Sequence, residues 1–315
     1  MTRKQRESRM PQIFTTYDVI LQTTGTFDYS FADFDRQPEM PVEANFFLRP
    51  DVWIGRLPVG VKSSQVMDAC EPAGHNHRPT RQYGVHYGFI RTLDQTSYPS
   101  YTWDEDRALS IILFLSRLIH PTTISGHYSA RLILEDGVLN TIVPGHVQGF
   151  GTHVWLVANS WRDYLTHDEA AQLKQAIPLY RTNAPERVRR ARGHIDHAFH
   201  SYYLDQKIAS LVSAFESLLK VERHGATRQF KIRSQNLGSM FGETISLQDA
   251  DKFYDDRSSY VHGSGLEYTD LDTDVIDRFQ LFERTLRAAL LRASIDPTFA
   301  QIFEDDTAIV KAFGS

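Results

Sequence analysis

The sequence holds one cysteine, Cys70, in 315 residues. No internal disulfide can form, so stability must come from packing, and the usage fits a reducing cytoplasm. Long apolar runs are missing too. The longest, Leu109–Ile119, contains Ser116 and Arg117 and is well short of the roughly 20 apolar residues that span a bilayer. No membrane role is expected. Arg3, Lys4, Arg6 and Arg9 have no apolar stretch behind them. They do not read as a secretory signal, and residues 1–12 are expected to be a disordered basic tail. A surplus of positive charge is absent, since the net charge is -5. Any RNA contact must then be local rather than spread over the surface. No phosphate-loop or dinucleotide-binding glycine pattern occurs, Gly145, Gly149 and Gly151 included, and there is no Ser-x-Gly nucleophile elbow.

What is present is an ordinary globular composition long enough for two domains, each with its own core. The expected fold class is α+β: a β-rich N-terminal domain over 13–180, then an all-α helical bundle over 185–300, with 301–315 as a C-terminal tail. Aromatic and β-branched residues come in short runs in FTTYDVILQTTGTFDYSF, ANFFLRPDVWIGRLPVGV and RQYGVHYGFIRTL, broken by Gly25, Pro50, Gly55, Pro58 and Gly60. A buried helix is predicted over 104–120, opened by Asp104, Glu105 and Asp106 and stopped by Pro121. A hairpin follows around Glu135-Asp136-Gly137, and GTHVWLVAN reads as another strand. Thr166 caps a helix reaching Ile177. The segment from Pro178 to Pro185 is the domain boundary. Beyond it, Asp205 starts a helix whose core stripe is Ile208, Leu211, Val212, Phe215 and Leu219.

One stretch organises the second half: Phe253-Tyr254-Asp255-Asp256-Arg257-Ser258-Ser259-Tyr260-Val261-His262-Gly263. Ser246 and Asp249 can cap its helix, and Gly263 sits where a left-handed stop would be. Ala250, Phe253, Tyr254, Tyr260 and Val261 form an apolar stripe with Arg257 in its middle. An arginine aimed at a core is costly unless paired or used. Glu216, at the edge of the preceding stripe, is its natural partner across the bundle. The Arg-x4-His spacing alone is unspecific, because Arg81/His86, Arg162/His167, Arg189/His194 and Arg192/His197 share it.

The context is more specific. YDDRSSYVHG (254–263), DQKIASLVSAFESLLKV (205–221) and KIRSQNLGSMFG (231–242), in that order and spacing, resemble the HEPN domain family, in its ApeA-like branch. The resemblance covers about 185–300 and departs at Phe215, where the family more often has a smaller aliphatic residue. It implies a HEPN helical bundle that pairs two-fold, with Arg257 and His262 as catalytic residues and each Arg-x4-His facing its copy. Ser258, Tyr260 and Glu216 would support the site. It also implies RNA as substrate and a role in anti-phage defence or abortive infection. The N-terminal half would then sense or bind a phage-derived trigger or a partner protein.

The residue chemistry is compatible with that implication. Arginine stays charged and its fork matches phosphate oxygens, while histidine exchanges protons near neutrality. Five residues on a helix put two side chains about 140° apart, so the glycine stop must let His262 swing or a second subunit must complete the site. Such chemistry needs no metal and no cofactor. Arg187, Arg189, Arg190 and Arg192 form a basic side that could hold RNA, beside His194, His197 and His200. These histidines span about 120° of their helix and cannot readily share one metal. Cys70, His75 and His77 lack a fourth ligand, and a turn at Gly74 explains their polarity. Two other readings stand beside the ribonuclease: a non-catalytic HEPN module for dimerisation or binding, and a metalloprotein built on the His-rich segments.

Overall fold

A computed structural model describes residues 14–22, 45–70, 87–93, 107–121, 124–145, 165–201, 204–222, 224–261 and 273–314. The chain divides into two compact units: 1–25, 42–110 and 124–151 in the first, 26–41, 111–123 and 152–315 in the second.

The first unit is an antiparallel sheet. Its strands are β1 (Phe14–Gln22), β2 (Phe46–Arg49), β3 (Val52–Arg56), β4 (Tyr87–Leu93), β5 (Ile124–Glu135) and β6 (Val138–Pro144), in the order β2-β3-β4-β1-β5-β6. Alternation along β1 sorts its side chains by face. Val19 and Leu21 pack with Trp53, Ile90, Ala130, Leu132 and Leu134 under Val66 and Cys70 of helix α1 (Ser63–Cys70). Asp18, on the opposite face, is bound by both ends of the Arg131 fork at 2.7 and 2.9 Å. The pair is buried, and two charge-assisted bonds offset the desolvation of both ions. Gly88 on β4 lies so close to β1 that a Cβ there would meet the Ile20 carbonyl oxygen at 2.3 Å. The expected hairpin around residue 136 joins β5 to β6. Asp136 and Gly137 both have positive φ, 49° and 83°, as the tight turn requires. Cys70 is buried and donates to the Ser129 carbonyl. His75, His77 and the strand expected at GTHVWLVAN lie outside the described residues.

The second unit is helical: α2 (Arg107–Ile119, from residue 111), α3 (His167–Ala176), α4 (Glu186–His200), α5 (Leu204–Leu219), α6 (Ala226–Met240), α7 (Leu247–Val261), α8 (Thr273–Ile295), α9 (Pro297–Gln301) and α10 (Asp306–Phe313). Thr166 caps α3 as expected, in a reciprocal box with Glu169. The expected stripe of α5 is fully buried. Its Phe215 joins Phe230, Phe253 and Phe282 in an aromatic core, with Phe253 stacked on Phe282 at 4.2 Å between centroids. The sequence segmentation assigns the helix over 104–120 to the N-terminal half, but most of α2 groups with the helices. The helical unit also extends beyond residue 300. Phe303, Ile309 and Phe313 are buried, and Arg233 and Asn236 of α6 bind the carbonyls of Gly314 and Phe313.

Buried basic side chains close three helix ends, where the last carbonyls have no intrahelical donor. Arg287 donates to Leu118 and Ile119 of α2, Lys207 to Ala198 of α4, and Arg233 to Leu219 of α5 and to Lys220 just beyond it. The positive charge of Arg287 and of Arg233 also complements the negative end of the helix that each closes. No described helix is long and apolar enough to cross a membrane.

Candidate active site

The site is built on α7, whose start is fixed by its own sequence. The Ser246 hydroxyl accepts from the Asp249 amide at 2.9 Å, and the Asp249 carboxylate accepts in return from the Ser246 amide and hydroxyl. That cap sets the phase of the helix. Ala250 and Phe253 face the core and are fully buried. Tyr254 follows at the edge of that face, its ring 5.0 Å from the Phe230 ring. Arg257, one turn after Phe253, emerges at the margin with its side chain 31% exposed. It is not a core residue.

Glu216 reaches the same margin from α5. One of its oxygens, Oε1, accepts from the Tyr254 hydroxyl at 3.0 Å. The other, Oε2, lies 3.7 Å from Arg257 Nη2. The partnership expected from the sequence is therefore present, but as an ion pair beyond direct hydrogen-bond distance. The Arg257 guanidinium also stands 5.7 Å from the centre of the Tyr254 ring. Burial and the Glu216 carboxylate push the Tyr254 phenol above its usual range, against the pull of Arg257. The neighbouring carboxylate Asp256 is engaged elsewhere, bonded by Arg278 of α8 at 3.1 Å.

Ser258 is half-buried beside Arg257. The side chain of Tyr260, and the whole of His262 and Gly263, lie outside the described residues. The four arginines of α4 part company. Arg192 points inward, 7% exposed, with its guanidinium over the Tyr180 ring and bonds to Ser294 and the Arg181 carbonyl. It fastens the boundary segment to α4 and α8, because it shares the face of Val188, Ala191 and Ile195. Arg187 pairs with Asp306, and Arg190 with Glu186. Arg189 is exposed.

The three histidines of α4 also face different surroundings. His194 is held below its ordinary pKa by burial and by His197, while Glu216 opposes that shift. His197 bonds the Ser210 hydroxyl at 2.9 Å. The Nε2 atom of His200 lies 3.2 Å from Nη1 of Arg117. Among the described residues, no group of three His, Cys, Asp or Glu side chains converges to hold a metal ion.

In the sequence Tyr254 reads only as part of an apolar stripe, and His194 only as part of a polar face. The fold bonds Tyr254 to Glu216 and leaves His194 within the electrostatic reach of that carboxylate. Tyr254 precedes Arg257 by three positions and so shares its side of the helix, a spacing that could have marked it. No comparable signal links His194 to Glu216, which lies on another helix. Compared with known proteins, the chain matches no family model, no curated protein and no solved structure.

Proposed function

We propose that the chain is a metal-independent endoribonuclease of the HEPN type, active as a two-fold dimer whose Arg257–Gly263 stretches line one cleft. The observation that carries the reading is the state of Arg257. It is anchored by Glu216 and Tyr254, partly exposed, and not closed into a fork-to-fork pair. A guanidinium held in that way can meet the non-bridging oxygens of a phosphodiester. A base takes the proton from a ribose 2′-hydroxyl, whose oxygen attacks the adjacent phosphorus. The bond to the 5′-oxygen breaks, and an acid returns a proton to it. Arg257 steadies the charge that develops on the phosphoryl oxygens. His262 serves as acid or base, since an imidazole exchanges protons near neutrality. The products are a 2′,3′-cyclic phosphate and a 5′-hydroxyl. In this reading the sheet-bearing unit receives a trigger, which for an anti-phage effector is a phage product.

The test is RNA cleavage by purified protein in EDTA, with and without candidate triggers, followed by analysis of the ends. His262→Ala should lose a factor of about 100 or more, as for removal of a general acid or base. A folded, dimeric His262→Ala protein that cleaves as fast as the parent would replace the nuclease reading with a non-catalytic module for binding RNA or a partner.

A further inference from the structure

The Arg257–Glu216 pair is loose beside the other arginine–carboxylate pairs of its kind. Arg131 grips Asp18 with two bonds of 2.7 and 2.9 Å, and Arg284 grips Glu243 with two of 3.1 and 3.2 Å. Arg278 meets Asp256 at 3.1 Å. Arg257 approaches Glu216 only to 3.7 Å, although each side chain is less exposed than its counterpart in the Arg284–Glu243 pair. Arg117 and Asp196 are equally far apart, but there the carboxylate is 47% exposed and keeps its water. Glu216 has a side chain 23% exposed. Partial burial ordinarily favours closing such a pair, because each ion loses water and gains from a direct bond.

The difference at Glu216 is the Tyr254 hydroxyl. It donates to Oε1 at 3.0 Å, so it takes up part of the acceptor capacity of that oxygen and fixes how the carboxylate is turned toward Arg257. Its ring also lies beside the guanidinium and is itself fixed against Phe230. We propose that Tyr254 is a positioning residue that divides the Glu216 carboxylate and so keeps Arg257 anchored but open to an incoming phosphate oxygen. The catalytic part of this inference rests on the ribonuclease reading; the geometric part does not.

The consequence is specific. Tyr254→Phe keeps the ring, its packing on Phe230 and its face toward Arg257, and removes only the hydroxyl. Oε1 then loses its donor inside a partly desolvated site, and the nearest replacement is the second arm of Arg257. The fork closes and the guanidinium is sequestered. Apparent affinity for a ligand that needs the open form then falls in proportion to the open fraction, by about tenfold if the closed pair gains one charge-assisted bond.

Two measurements separate this inference from the nuclease reading. The first is the rate at which phenylglyoxal modifies Arg257, followed by peptide mapping in the intact protein, the Tyr254→Phe and Glu216→Gln variants, and the double variant. It involves neither RNA nor turnover. The expected order is slow labelling in Tyr254→Phe, with recovery in the double variant, where no carboxylate remains to close on. A merely structural role for the hydroxyl would not give that recovery. Labelling of Arg257 that is unchanged or faster in Tyr254→Phe, or still slow in the double variant, overturns the proposal. The second is fluorescence anisotropy with a 2′-O-methyl RNA oligonucleotide, which can bind but cannot be attacked from the 2′ position. Weaker binding by Tyr254→Phe, restored in the double variant, supports the inference in its catalytic setting. Absence of RNA binding by every protein, with the labelling order as expected, removes the RNA reading and leaves the positioning role of Tyr254 standing.

Discussion

Lys207→Met should flatten the dependence of stability on pH between neutrality and mild alkali. Lys207 is 2% exposed and donates to the Ala198 carbonyl at 2.8 Å. Burial brings its pKa down from 10.5 to about 7, with Glu283 of α8 opposing the change and Arg117 of α2 adding to it. The sign follows from the two states. Above 10.5 the amine is neutral in both, and no penalty arises. As pH falls from 10.5 toward 7, the unfolded chain binds a proton that the folded protein does not, so stability declines. Below 7 both states are protonated and the loss is complete. The whole gap corresponds to roughly 5 kcal/mol at 1.36 kcal/mol per pH unit, of which about 2 kcal/mol falls between pH 7 and pH 9. His200 and Asp196 of α4 and Arg287 of α8 share this region. His200 is held below 6.5, chiefly by burial, so its titration lies under the window. The substituted methionine carries no proton in either state. It also leaves the Ala198 carbonyl without its side-chain donor, at a cost of about 1 kcal/mol that does not vary with pH. The assay is urea unfolding of both proteins at pH 7 and pH 9, followed by helical circular dichroism. The stability difference between them should move by about 2 kcal/mol in favour of the natural protein at the higher pH. Parallel pH profiles would show that Lys207 stays charged in the fold, and the reasoning would fail.

Phe282→Ala should destabilise the helical unit by about 3–5 kcal/mol in thermal or urea unfolding, since the ring is fully buried and packs against Phe215, Phe230 and Phe253. Arg131→Ala should cost about 3 kcal/mol in the same assay, because the buried Asp18 carboxylate loses both guanidinium bonds. Exchanging the two together for apolar residues of similar volume should cost less. Thr166→Ala should cost about 1 kcal/mol and speed amide exchange at Glu169, whose backbone N–H bonds the threonine oxygen.

Features fixed by neighbours along the chain are legible in the sequence alone. The caps at Thr166 and Ser246 depend on a side chain reaching an amide three residues on. The turn at Asp136-Gly137 depends on residues that tolerate positive φ, and the α5 stripe depends on a 3.6-residue period. The α+β class and the helical character of the second half follow from the same local signals. The pairing of Glu216 with Arg257 is legible because each sits at a predictable phase of its own helix.

Other features depend on which helices meet. Nothing near Arg287, Lys207 or Arg233 in the sequence says that they close the ends of α2, α4 and α5. Their carbonyl partners lie up to 169 positions away and become partners only when the helices pack. Arg192 reads as a surface cation among arginines, yet the face it shares with Val188 and Ile195 turns it inward onto Tyr180. Residues 301–315 look like a tail because they follow Pro297 and are short and polar in part. Their aromatic residues find a core only once α6 offers Arg233 and Asn236 to the final carbonyls. The sequence determined periods, caps and turns, because those energies act within one or two turns of chain. The tertiary structure decided which buried charges find partners, and it set the 3.7 Å gap that leaves Arg257 open, because those energies depend on the distance and desolvation of groups that the sequence keeps far apart.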